Sequence, residues 1–165
     1  MTGKLGLPRS VILNAILLSA VAALVAIPVF GWLSDRIGRK TMFFASTLFA
    51  MCFAFPLFWL LDTKDPSTIT LTIVVAIIFG QIVGFSVGAP WYSELFAARS
   101  RYTGASLGFQ IGAAISGGLT PFAAATFIAW TGGATWPISV YLIVLALVTI
   151  VATLAAPETA GKPLK

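Results

Sequence analysis

Apolar residues in this chain neither alternate nor recur as a stripe; they run without interruption. Five such runs cover approximately residues 10–32, 41–61, 69–91, 102–130 and 134–156, and none contains Asp, Glu, Lys or Arg. A helix needs about 20 apolar residues to cross a bilayer, and each run meets that length. In lipid every backbone polar group must be paired inside a helix or a closed barrel, and unbroken runs exclude the two-residue alternation of a barrel strand. The pattern therefore predicts an all-α, polytopic membrane protein with about five transmembrane helices. The first run is too long for a signal peptide and lacks a cleavage context. Gly117-Gly118-Leu119-Thr120-Pro121 interrupts the fourth run, and Pro121 removes a helix hydrogen bond, so a kink or break is expected there.

Composition agrees with the pattern. Hydrophobic residues make up 59% of the chain and charged residues 9%, against roughly 25% charged in soluble domains. The net charge of +5 raises nucleic acid as a partner, but the cations sit scattered at loop ends instead of on one face, which excludes it. With alternating spans, Arg36, Arg39, Lys40, Arg99, Arg101, Lys162 and Lys165 share one side, while Lys4, Arg9 and Lys64 share the other. Seven of the ten cations against three makes the first side cytoplasmic. The acidic Asp62-Thr63-Lys64-Asp65-Pro66 loop suits the outer face, and the C-terminus is expected inside. Met1 then falls outside with Lys4 and Arg9 on the unfavoured side, which predicts further chain upstream.

The most specific stretch is Gly31-Trp32-Leu33-Ser34-Asp35-Arg36-Ile37-Gly38-Arg39-Lys40, between the first two runs. Its pattern, G-x-x-x-D-R-x-G-R-K, resembles the signature loop of the major facilitator superfamily of transporters. A second stretch begins at Glu94 and reads E-L-F-x-x-R-x-R-Y-T-G-A-S-L-G-x-Q, ending at Gln110. It is similar to the loop between the tenth and eleventh helices of the metabolite–proton symporters, a family that carries shikimate-like, dicarboxylate, tricarboxylate and betaine- or proline-like solutes. Pro157-Glu158-Thr159-Ala160-Gly161 resembles the sequence after the twelfth helix. One position departs: Ala97 stands where that family usually has Pro, which should loosen the loop. The resemblance implies helices eight to twelve of a twelve-helix carrier, with residues 1–165 as part of its C-terminal half. It implies an inner-membrane, multi-pass protein whose partners are the lipid bilayer, a small polar solute, protons, and a separate N-terminal half.

Physical roles can be assigned within these loops. Gly31 would let a neighbouring helix approach. Gly38 can take the positive φ of a tight connection. Asp35 is an acid in a basic loop, and the helix starting near Tyr102 offers a positive N-terminus on the same face. Asp35, Arg36, Glu94 and Arg101 are expected to form a charge network that locks the inner helix ends in one state. Arg39 and Lys40 either join it or anchor the loop at lipid headgroups.

Two glycine stripes recur every four residues, Gly80/Gly84/Gly88 and Gly104/Gly108/Gly112, and predict close helix packing. Asn14, Ser19, Gln81, Ser86, Gln110, Ser116, Thr120 and Thr126 are the main polar residues in the runs. A buried amide needs partners, and in the resembled fold the helices holding Asn14, Gln81 and Gln110 line the central cavity. With no carboxylate or Arg in any run, a proton site or an anchor for an anionic solute must come from elsewhere. The chain has no histidine, and its one cysteine, Cys52, lies in an apolar run, so neither a disulfide nor a metal site is expected. No phosphate loop or catalytic set is present, so neither enzyme chemistry nor a cofactor is called for. A remnant that does not transport, or a half needing a partner, remains the alternative to an active carrier.

Overall fold

The computed structural model describes residues 9–161; Lys4, Lys162 and Lys165, counted above in the charge bias, lie outside them. The described chain is helical and contains five helices long and apolar enough to cross a membrane. The first span is α1, Arg9–Ile37. The second is α2, Arg39–Leu61. The third is composite: α3, Pro66–Val75, passes through a π-helical segment at Ala76–Ile82 into α4, Val83–Glu94. The fourth is α5, Arg101–Trp130, and the fifth is α6, Trp136–Ala155.

The charged loop is shorter than the sequence pattern suggests. α1 continues through Ser34, Asp35 and Arg36, and α2 begins at Arg39, so Gly38 alone connects them. Its φ of +112° is closed to most L-residues, and its N–H still donates to Ser34 O at 3.0 Å. Across the membrane, Asp65 caps α3 by accepting from Thr68 N at 2.7 Å. Hydrogen bonding from the Thr68 backbone, and then from its side chain, holds the Asp65 carboxyl below its ordinary value.

α2 packs most extensively on α6, and α1 packs on α3 and α4. Met42, Val83 and Val87 form the core between them, flanked by Phe30, Leu33 and Phe43. Several serine and threonine hydroxyls in the spans donate to backbone carbonyls, which spares them an unpaired donor in hydrocarbon. Ser19 donates to Ala15 O and Thr47 to Phe43 O, while Ser139 crosses to Ala54 O at 3.1 Å and ties α6 to α2.

Gly80, Gly84 and Gly88 line the contact with α2. A Cβ on Gly84 would lie 3.2 Å from Ser46 Oγ, and one on Gly88 would lie 3.3 Å from the Phe43 ring. The other stripe differs. Gly104 touches the Phe96 ring, but nothing lies within 4 Å of the Cβ position at Gly108 or Gly112. α5 contacts mainly α4 and α6 and buries no residue. Gly31 likewise has open space at its Cβ position, so no neighbour uses the approach expected there. α5 also runs through Pro121 without a break. A proline deletes one hydrogen bond, and the flanking turns retain theirs.

Candidate functional site

At the Gly38 end, charged side chains from three spans meet the segment after α6. Gly38 ends α1 and exposes the first N–H groups of α2, which have no partner in their own helix. Glu158, just past α6, supplies one. Its carboxylate accepts from Arg39 N at 3.1 Å and Lys40 N at 3.0 Å, and from its own neighbours Thr159 N and Ala160 N at 2.9 and 3.0 Å. Partial burial pushes the Glu158 carboxyl up, but the four backbone donors outweigh it and hold the group below the ordinary carboxylate value. Lys40 makes the reciprocal contact. Its Nζ donates to Leu154 O and Ala156 O, both at 2.8 Å, at the negative end of α6.

Arg39 extends this cap sideways. Its guanidinium lies 3.0 Å from Asp35 Oδ1. Its Nε lies 2.8 Å from Glu94 Oε2, a pairing by charge and distance, since the N–H is not aligned for a hydrogen bond. Thr159 Oγ1 donates to the same Glu94 oxygen at 2.5 Å, and Trp91 Nε1 donates to Pro157 O at 3.2 Å. Pro157–Thr159 thus clamps the ends of α2, α4 and α6 that lie beside Gly38 together, with α1 tethered through Asp35.

The structure gathers Asp35, Gly38, Arg39, Lys40 and Glu94 into one cluster. Arg36 instead stacks over the Trp32 ring at 4.1 Å, and Arg101 is half-buried at the start of α5. α1 and α5 share no extensive interface, and Asp35 pairs with Arg39 where the start of α5 was expected. Glu158 and Thr159 were missed as members. The available signal was an acid directly after the last span, on the side carrying most of the cations.

A cavity of about 520 Å³ lies between α2, the third span and α6, bounded also by Phe109 of α5. Gln81, carried by the π-helical segment, lines it with Ser46 and several phenylalanines. Among the described residues no charged side chain lines it. Asn14 lies in a separate groove of about 410 Å³ between α1 and α3, and Gln110 is exposed outside both. Of the three polar residues expected in one cavity, only Gln81 enters this one.

Five apolar spans closed by a charged clamp define a multi-pass membrane protein built like part of a transporter. The profile of the sugar (and other) transporter family matches residues 1–165, and the chain belongs to that family, within the major facilitator superfamily. It is 33% identical to the shikimate transporter of Escherichia coli over 96% of this chain and 36% of that protein. It is 32% identical to the citrate-proton symporter of Klebsiella pneumoniae over 70% of the chain and 26% of the symporter. It is 34% identical to the glycine betaine/proline/ectoine/pipecolic acid transporter of Dickeya dadantii, over 84% of the chain and 27% of that protein. The chain thus matches between 26% and 36% of the length of these relatives. No solved structure matches it.

Proposed function

We propose that this chain forms helices eight to twelve of a carrier that moves a small polar metabolite, an organic acid or a betaine- or proline-like solute, with protons. The relatives' solutes motivate that class. The observation that carries the reading is the clamp: one cation, Arg39, is shared between Asp35 on α1 and Glu94 on α4, while Glu158 holds the start of α2. In a carrier, helices must separate at one face and close at the other. A clamp that joins a largely buried pair, Arg39–Glu94, to the exposed Asp35 suits this, because breaking the buried pair leaves a charge without its partner while the exposed pair contributes little alone. The cavity beside Gln81 is the proposed contact between this part of the carrier and solute. Proton binding and any anchor for an anion fall to the remaining helices, since no acid or Arg lies within the apolar runs.

A second reading is that the isolated chain does not transport and requires a complementary half. The absence of any buried residue on α5 among the described residues favours it. Uptake per carrier molecule in a full-length homologue with matching loops, with and without Asp35→Asn and Glu94→Gln at the equivalent places, tests the clamp. Loss of at least severalfold in uptake at unchanged abundance is expected, since 1.4 kcal/mol is tenfold. Unchanged uptake in both variants removes the clamp from the transport cycle.

A further inference from the structure

Trp91 takes no part in the ion pairs, yet it touches the segment that completes them. The chain has five tryptophans. Trp32, Trp59, Trp130 and Trp136 are exposed, whereas Trp91 is only 2% exposed. A buried indole N–H needs an acceptor. Trp91 Nε1 finds one in Pro157 O at 3.2 Å, 66 residues along the chain. The ring is itself confined: its centroid lies 5.3 Å from that of Phe43 on α2 and 6.1 Å from that of Tyr92. These contacts restrict the direction in which the donor points.

The acceptor is presented just as narrowly. A proline disfavours the α conformation in the residue before it, and Ala156 has φ −77° and ψ 146°, so α6 stops there. Pro157 brings a carbonyl and no N–H. From that point α4 grips the segment on both sides of Glu158. Trp91 takes Pro157 O, and Glu94, three residues on along the same face of α4, takes the Thr159 hydroxyl at 2.5 Å. Between the two grips, Glu158 reaches Arg39 N at 3.1 Å and Lys40 N at 3.0 Å. A slip by one residue would bring Pro157 or Thr159 to the start of α2, and neither carries a carboxylate.

We propose that Trp91 is the positioning residue of the clamp: its indole N–H fixes the register of the segment after α6 and so places Glu158 on the first N–H groups of α2. The role belongs to the donor, not to the bulk of the ring. Its consequence for transport rests on the reading of this end as a clamp; the placement itself is a property of the fold.

Amide hydrogen exchange in the purified chain, resolved by NMR in detergent, tests the placement. Trp91→Phe keeps an aromatic ring and removes the donor. It should speed exchange at Arg39 and Lys40 about fivefold, the loss of one net hydrogen bond, and leave the mid-α2 amide of Phe49 as in the parent. Glu158→Gln should speed the same two amides, and the two changes together should add less than their separate effects, since they act on one contact. Should Trp91→Phe not fold, Glu158→Ala gives the converse reading. It should shift the Trp91 indole N–H resonance more than those of the four exposed tryptophans. Uniformly faster exchange along α2 in Trp91→Phe would make Trp91 a packing residue and overturn the proposal. Unchanged exchange at Arg39 and Lys40, or an unmoved indole resonance in Glu158→Ala, would overturn it as well. Uptake unaffected by Asp35→Asn and Glu94→Gln, alongside the expected exchange pattern, would remove the clamp from transport and leave the placement standing.

Discussion

Glu158 shows how much one side chain can hold when the backbone supplies the donors. Four N–H groups converge on its carboxylate, two from the start of α2 and two from its own turn. Charge-assisted hydrogen bonds contribute about 1.5–3 kcal/mol each in favourable settings and less where water competes. Its pKa lies below the ordinary value, so the ionised form is the one that folding favours. The stability it contributes is therefore present above the unfolded carboxylate value, about 4.3, and is lost as pH falls through the lower folded value. Thermal melting in detergent should accordingly drop in the parent as pH falls below about 4.3. Glu158→Gln should melt several degrees lower at pH 7 and show a flatter acid limb; an unchanged melting curve across pH would remove this cap from the stability of the bundle. Gly38 was legible beforehand because a connection between two spans this tight requires a residue tolerant of positive φ, and φ is +112°. Glu158 was not legible as a cap, because its partners stand 118 and 119 residues away and nothing local announces them.

Among the elements, the two glycine stripes have the same spacing and different surroundings, so they should respond differently to the same substitution. A Cβ at Gly84 would stand 3.2 Å from Ser46 Oγ, so that α2 must yield by a few tenths of an ångström to admit any side chain. Gly84→Leu should lower the folded yield and the melting temperature, since overpacking costs about 1–3 kcal/mol. Gly108→Leu should be tolerated, with nothing within 4 Å of its Cβ position. Side-by-side yields and melting curves check this; equal loss in both would mean that α5 closes on the bundle in the membrane. Spacing reveals that a face is small but not which neighbour it meets: the Gly80 stripe lies against α2, whereas Gly108 and Gly112 of the other stripe have open space at their Cβ positions. The π-helical segment at Ala76–Ile82 was also hidden. An apolar run carries no signal that separates a π turn from an α turn, and Gln81, which lines the cavity, lies within that segment.

For the molecule as a whole, the five apolar runs were sufficient to give the spans, since uncharged stretches of that length have one stable arrangement in lipid. The shared side of the charged loop and the chain's end, inferred from charge counts, is matched by direct contact between Lys40 and Ala156. Which membrane face this is can be checked by labelling. In a Cys52→Ala background, Ile37→Cys and Thr63→Cys, both at exposed positions, should react with an impermeant maleimide from opposite sides, with Ile37→Cys protected in intact cells. Reaction of both from outside would refute the assignment. The distance along the chain between Lys40 and Glu158 also sets an order of events in time. Ribosomes add about 5–20 residues per second, so the 118 residues between cap and helix take roughly 6–24 s to synthesise at that pace. Throughout that interval the start of α2 is in place without Glu158, and Lys40 has no α6 carbonyls to bind. The contacts that Lys40 and the start of α2 make with the segment after α6 therefore close only after the last span has been delivered.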